Sequence, residues 1–185
     1  MDNNVRLQDI IDSKILNERK VFLWGQIDDE SAKHVIERLL YLEMIGPNKE
    51  IQLIINSPGG YVTSGFAIYD TMKSISSHVS TICTGLAASM GSIILSAGTK
   101  GRRFVLPNAR VMIHQPSGGA SGVASDIEIQ MDEIIKTKLL GAEILAANCG
   151  QTVEKVMKDF NRDHWMSAQE SVAYGIVDGK IEKLV

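Results

Sequence analysis

The chain has 185 residues, of which 44% are hydrophobic and 22% are charged, as expected for a single globular domain over residues 1–185 rather than a disordered or fibrous protein. Its 22 acidic and 19 basic side chains are interspersed, which argues against binding to nucleic acid or to an anionic membrane. The two cysteines lie far apart in the sequence, which argues against a disulfide framework or a zinc site. The N-terminus shows neither a leader nor a membrane-spanning run, so we expect a soluble cytoplasmic protein.

Short apolar runs alternate with helical periodicity along the first two thirds of the chain. The predicted strands are residues 20–28, 51–56, 79–84, 103–106 and 110–114. Helices are predicted from a cap at Ser31, over about 62–75, and through 93–95. Repeated strand–helix units of this kind predict an α/β fold with a largely parallel sheet and right-handed crossovers.

The last third of the sequence is predicted to be mainly helical. After a turn-rich stretch at 117–122, the apolar stripe predicts a helix from Asp126 to about residue 147. Because this length exceeds that of an average helix, we expect the helix to project or to mediate assembly. Two short helices follow, one after Thr152 and one opened by a capping box at Ser167 and ended by Gly175.

Ser89 lies where an apolar strand gives way to a helix, in residues 85–91 (Gly-Leu-Ala-Ala-Ser-Met-Gly). Such a junction exposes the hydroxyl and aims backbone N–H groups at developing negative charge, as a nucleophile requires. The alternative is that Ser89 is only a helix cap or a close-packing residue, which is the commoner role for a serine in this setting.

The other candidate residues are equally open when each is taken alone. Residues 57–60 (Ser-Pro-Gly-Gly) form a strand-to-helix turn, or else let the Gly60 N–H approach a substrate carbonyl. His114 ends an apolar strand, where sites gather in α/β sheets, but it fits a structural role as well. Asp163 fits a surface or capping position, and the basic residues 100–103 fit a solvated turn.

Taken together, four segments resemble the proteolytic subunits of the Clp protease family (ClpP). They are residues 56–60 (Asn-Ser-Pro-Gly-Gly), 85–91, 111–116 (Val-Met-Ile-His-Gln-Pro) and 162–168, which begins with Arg162-Asp163. The resemblance runs from about Ser13 to near the C-terminus, and the intervals between the segments match as well.

This resemblance implies a serine endopeptidase with a triad of Ser89, His114 and Asp163. In that assignment the N–H groups of Gly60 and Met90 form the oxyanion hole. His114 would accept the proton of Ser89, while Asp163 would fix the imidazole tautomer.

The resemblance also implies a ClpP/crotonase-like fold in which residues 126–147 form a protruding handle helix. Members of the family stack two seven-membered rings around a chamber and receive unfolded polypeptides from a partner AAA+ unfoldase. That partner hydrolyses ATP, and we expect no cofactor in this chain, which lacks a nucleotide motif. Residues 1–12 would be the N-terminal axial segment.

Three departures from the family pattern concern assembly rather than catalysis. Residues 1–12 are short and unlike the usual axial region, and Gln52 and Ile54 replace tyrosines of the unfoldase dock. Asn161 stands where many members have an acidic residue that helps to couple ring assembly to the active site. These differences suggest one member of a paralogous pair, working in a mixed two-ring particle.

Three other functions compete with a serine endopeptidase. A crotonase-type hydratase needs positioned carboxylates, and residues 85–125 contain neither Asp nor Glu. A barrel subunit that is catalytically weak or silent beside an active paralog is the alternative that stays open, since an intact triad can be held misaligned until assembly. A Ser-Lys peptidase is disfavoured because His114 and Asp163 already match.

Overall fold

The computed structural model describes residues 6–184 as an α/β domain with alternating strands and helices. The strands are β1 (Lys20–Ile27), β2 (Ile51–Gly60), β3 (Val79–Ala88), β4 (Arg103–Val105), β5 (Arg110–Ile113), β6 (His164–Met166) and β7 (Gly179–Lys180). The helices are α1 (Leu7–Asn17), α2 (Asp29–Ile45), α3 (Val62–Ser74), α4 (Met90–Ser96), α5 (Ala124–Cys149), α6 (Val153–Asp159) and α7 (Ala168–Tyr174). The predicted α/β class with a largely parallel sheet is confirmed.

The strands form one sheet in the order β1-β2-β3-β4-β7, with β5 also paired to β3 and β6 paired to β5. Every pairing is parallel except that between β5 and β6. The first half of β3 pairs with β4 and its second half pairs with β5. The sheet therefore splits at β3, and the branch through β5 lies beside the last residues of β3.

The strand β2 is longer than predicted. The sequence pattern ends it at Asn56 and places a turn over the Pro-Gly-Gly segment, whereas the strand continues to Gly60. The prediction was wrong because Gly59 and Gly60 pair in parallel with Gln26 and Ile27 of β1. Pro58 is exposed, and two glycines without side chains allow the backbone to stay in the sheet at unusual dihedral angles.

The helices α2, α3 and α4 pack next to one another, with α2 on β1 and α4 on β2 and β3. The cap of α2 is Asp28 rather than the predicted Ser31. Asp28 accepts the N–H of Ser31, and the Ser31 hydroxyl accepts the N–H of Asp28, so the two residues form a reciprocal capping box. At the predicted cap Ser167, the same box forms with Glu170.

The helix α5 begins two residues before the predicted start at Asp126 and ends two residues after residue 147. Its buried residues all lie in the C-terminal part, from Gly141 to Cys149. Several large apolar side chains in the rest of the helix are exposed, among them Ile129 and Ile135. The prediction of a projecting helix is consistent with this uneven burial.

The N-terminal segment contains a helix that the sequence pattern did not predict. Within the proposed axial segment 1–12, the part up to residue 5 lies outside the described residues, and α1 begins at Leu7. None of the residues of α1 is buried, so the helix does not contribute to the core.

Arg103 is the largest fully buried side chain, although the sequence pattern predicts a solvated turn for residues 100–103. Its side chain is 1% exposed and forms two hydrogen bonds to the carboxylate of Asp178, at 2.9 and 2.6 Å. Burial opposes ionisation of Asp178, but the hydrogen bonds and positive charge of Arg103 outweigh it and lower the pKa of the carboxyl. A buried cation is tolerated here because its partner is positioned to accept from it.

We expect Asp178→Ala to lower the free energy of unfolding by about 3–5 kcal/mol, because it leaves the buried guanidinium of Arg103 unpaired. The matched control is Glu50→Ala, which breaks the exposed ion pair with Arg102 and should cost less than about 1 kcal/mol. Urea unfolding measures both losses. Equal losses of unfolding free energy for the two variants would show that burial does not make the Arg103–Asp178 pair contribute more than the exposed pair.

Candidate active site

Ser89 occupies a tight turn between β3 and α4. Its φ of 54° and ψ of −124° place a residue with a side chain in a region that is normally reserved for glycine. The Ser89 N–H donates to the Met112 carbonyl of β5 at 2.9 Å, and the Ser92 hydroxyl donates to the Ser89 carbonyl at 2.6 Å. The turn is therefore held from both sides, with the Ser89 hydroxyl beyond the end of the sheet.

His114 is the first residue after β5, and its ring lies next to Ser89. The distance between His114 Nε2 and Ser89 Oγ is 2.9 Å, within the range of a hydrogen bond. The two residues come together because Ala88 at the end of β3 pairs with Met112 near the end of β5. The carboxyl ends of two parallel strands thus bring together residues that are 25 positions apart.

Asp163 directly precedes β6, which pairs antiparallel with β5 so that His164 lies opposite Ile113. This pairing brings Asp163 Oδ1 to 3.2 Å from His114 Nδ1. The contact is at the long end of the hydrogen-bond range, and the Asp163 side chain is 58% exposed. Contacts therefore run without a break from Ser89 through His114 to Asp163. The contact between His114 and the Asp163 carboxylate is the longer of the two.

The end of β2 lies directly against the turn at Ser89. A Cβ atom added to Gly59 would lie 2.7 Å from the Ser89 Cβ and 3.0 Å from the Met90 nitrogen. Such distances are too short for any side chain, so only glycine permits this approach. Sequence reasoning singled out Gly60 and missed Gly59, although the adjacent pair of glycines was the available signal.

The two N–H groups predicted for an oxyanion hole lie at this junction. Met90 is the first residue of α4, and within residues 6–184 its N–H has no hydrogen-bond acceptor. The Tyr61 N–H donates to Ile27 of β1 at 2.8 Å, and successive N–H groups of an extended strand point to opposite edges. The N–H of Gly60 is thus directed away from β1, toward the edge of β2 that faces β3 and Ser89.

An apolar cavity opens beside Ser89 and His114. Its walls come from α3, α4, β5, α5 and α6 and their flanking residues, and none of the lining residues is acidic or basic apart from His114. The apolar lining residues are Val62, Phe66, Met90, Ile93, Ile113, Pro116, Leu145 and Phe160. The lining therefore favours an uncharged, apolar group over a charged one next to the Ser89 hydroxyl.

The two cysteines and the other titratable side chains of residues 6–184 provide no second candidate site. Among residues 6–184, no three His, Cys, Asp or Glu side chains are placed to hold a metal ion. Burial raises the pKa of the Cys83 thiol to about 12 and that of Cys149 to about 11, so both are poor nucleophiles. In the same described part of the chain, no helix is long and apolar enough to cross a membrane.

We expect Gly59→Ala to lower both the stability of the protein and the reactivity of Ser89. Gly101→Ala is the matched control, because Gly101 has a similar positive φ of 83° but open space around it. The control should lose only the backbone cost of about 1–2 kcal/mol, while Gly59→Ala also displaces Ser89. Urea unfolding and the rate of Ser89 modification by a fluorophosphonate measure the two effects, and equal behaviour of both variants would contradict the proposed contact.

A comparison with protein families places the chain in a known family. The family model described as Clp protease matches residues 2–183, which is nearly the whole chain. The repeated strand–helix units and the mostly parallel sheet are those of the ClpP/crotonase-like fold. The chain therefore belongs to the Clp protease family, whose members are serine peptidases.

Proposed function

We propose that this chain is a serine endopeptidase that cleaves unfolded polypeptides through a triad of Ser89, His114 and Asp163. The observation that carries the proposal is the unbroken series of contacts from the Ser89 hydroxyl through both nitrogens of His114 to the Asp163 carboxylate. Three groups with these chemical roles are what acyl transfer requires.

In the first half of the reaction, His114 Nε2 accepts the proton of the Ser89 hydroxyl as the oxygen attacks a peptide carbonyl. His114 then gives this proton to the leaving amine, and an acyl-enzyme remains on Ser89. Asp163 accepts from His114 Nδ1, which leaves Nε2 free to act as the base and stabilises the imidazolium. Water, activated by the same histidine, hydrolyses the ester in the second half.

The tetrahedral intermediates carry a negative charge on the former carbonyl oxygen. We assign the N–H groups of Gly60 and Met90 as the donors that stabilise this charge. The Met90 N–H has no acceptor among the described residues 6–184, and this absence and the direction of the Gly60 N–H both favour the assignment. Loss of one such donor costs about 100- to 1000-fold in turnover in enzymes of this kind.

A preference for one residue beside the scissile bond would not spare other proteins, so control of proteolysis requires that the site be enclosed. We propose that the chain assembles into two stacked seven-membered rings in the cytoplasm, and that α5 forms the contact between rings. An AAA+ unfoldase would feed polypeptides into the chamber at the expense of ATP. The exposed apolar side chains of α5 support an assembly role, since an isolated domain rarely leaves so many uncovered.

A second candidate function is a barrel subunit that stays weak or silent unless an active paralog is present. The long contact between His114 and Asp163, and the exposure of that carboxylate, favour it. In this case, assembly would tighten the His114–Asp163 contact before catalysis begins.

We expect a fluorophosphonate to label the wild-type protein and not Ser89→Ala, with labelling compared in the presence and absence of a candidate paralog. Labelling that persists in Ser89→Ala would refute the nucleophile, and labelling only with the paralog would support the silent-subunit alternative.

We expect His114→Ala to slow peptide hydrolysis by several orders of magnitude, because the members of a triad act as one unit. His34→Ala replaces a histidine of α2; it is the matched control and should behave as wild type.

We further expect cleavage to be fastest after apolar residues such as leucine and methionine. The cavity beside Ser89 is lined by apolar side chains, and burying a charged residue there would cost free energy that no partner offsets. A peptide series that varies only the residue before the scissile bond measures kcat/KM. Equal rates for leucine and aspartate at that position would show that this cavity does not receive the side chain.

A further inference from the structure

The strand β3 changes its partner shortly before it reaches Ser89. Thr81–Cys83 pair with β4, whereas Leu86–Ala88 pair with β5. Since His114 directly follows β5, only the second pairing brings the end of β3 beside the histidine. The relative position of Ser89 and His114 therefore depends on the bend that moves β3 from one neighbour to the other.

This bend contains extra residues that the neighbouring strand β2 does not match. The pairing of β2 with β3 advances from Ile55–Cys83 to Ser57–Ala87. Thus one residue of β2, Asn56, faces a three-residue segment of β3, residues 84–86. A bulge of this kind leaves backbone groups without partners in the ladder, and it bends the strand that contains it.

The side chain of Asn56 supplies a partner that the ladder lacks at this point. Asn56 Oδ1 accepts the N–H of Leu86 at 3.0 Å. Gly85 makes room for it, since a Cβ atom at that position would lie only 2.6 Å from Asn56 Oδ1. From the opposite strand, the Thr84 hydroxyl donates to the Ile55 carbonyl at 3.3 Å.

We propose that Asn56 is a positioning residue for the Ser89–His114 pair. Its amide oxygen fixes the bulge at Gly85 and Leu86, which directs the remainder of β3 along β5. Asn56 does not line the apolar cavity, so its loss affects kcat more than KM. The inference rests on the proposed peptidase function, because the consequence is read from the reactivity of Ser89.

The test compares Asn56→Leu, which keeps the branched shape but has no acceptor, with Asn56→Asp, which keeps an oxygen acceptor in the same place. We expect Asn56→Leu to lower the rate of fluorophosphonate labelling and kcat for a small peptide by about 100-fold, as for a reactive group displaced by about 1 Å. KM should change little, and Asn56→Asp should retain most of the wild-type rate because a carboxylate also accepts from N–H.

A second variant tests the same contact in case Asn56→Leu does not fold. Gly85→Ala leaves Asn56 in the sequence but pushes its side chain from the Leu86 N–H, and Gly85 does not have a positive φ that alanine would strain. It should reproduce the loss in kcat. Val35→Ala, a truncation in the core of α2, is the control for general destabilisation and should label at the wild-type rate.

Normal labelling of folded Asn56→Leu and Gly85→Ala, with active wild-type protein, would overturn this inference and leave the proposed function intact. A loss in Asn56→Asp equal to that in Asn56→Leu would also overturn it, because the acceptor would then be irrelevant. Wild-type protein that is not labelled at Ser89, alone or with a paralog, would instead refute the proposed function itself.

Discussion

The approach of β2 to the turn at Ser89 is the contact on which the rest of the site depends. It requires that Gly59 have no side chain, because a Cβ atom would collide with Ser89 and with the backbone of Ala88. Gly91 in the first turn of α4 meets the same strand from the other side, with its Cβ position 3.1 Å from the Ser57 carbonyl. The two glycines thus set how closely helix and sheet approach, and they place the N–H of Met90 next to the end of β2.

The opposite end of α4 is held by two cations. Lys73 of α3 donates to the Ala97 carbonyl at 2.8 Å, and Arg103 donates to the Ser96 carbonyl at 3.3 Å. Positive charge at the C-terminal end of a helix is favourable, and these carbonyls lack partners within the helix. Arg103 also donates to the Asn148 carbonyl near the end of α5. The short helix that follows Ser89 is therefore fixed to α3, β4 and α5, and it has little freedom to shift.

Local patterns predicted much of the fold, because buried strands of a parallel sheet are short apolar runs and amphipathic helices have a clear period. They failed where tertiary contacts decide the outcome. Pairing with β1 keeps the Pro-Gly-Gly segment in β2, and Asp178, which lies 75 residues away, allows Arg103 to be buried. The strands β6 and β7 have three and two residues, and they lack the run of three apolar residues that marks the equally short β4.

The candidate site was less accessible to residue-by-residue reasoning than the fold. Nothing in the local sequence of Ser89 or Asp163 distinguishes it from a cap, and their partner His114 is 25 and 49 positions away. The family resemblance supplied those pairings, and the sheet topology gives the physical reason for them. The contributions of Gly59 and Asn56 depend on backbone spacing between strands, which no sequence pattern expresses.

The uneven burial of α5 has a thermodynamic consequence. None of its residues before Gly141 is buried, so this part of the helix gains little free energy from packing against the rest of its own chain. Helical propensity alone gives only marginal stability in water. A second surface that covers these side chains would therefore stabilise the helix as well as bind it. Order in this segment and association are linked equilibria, and the helix content of the protein should rise with its concentration.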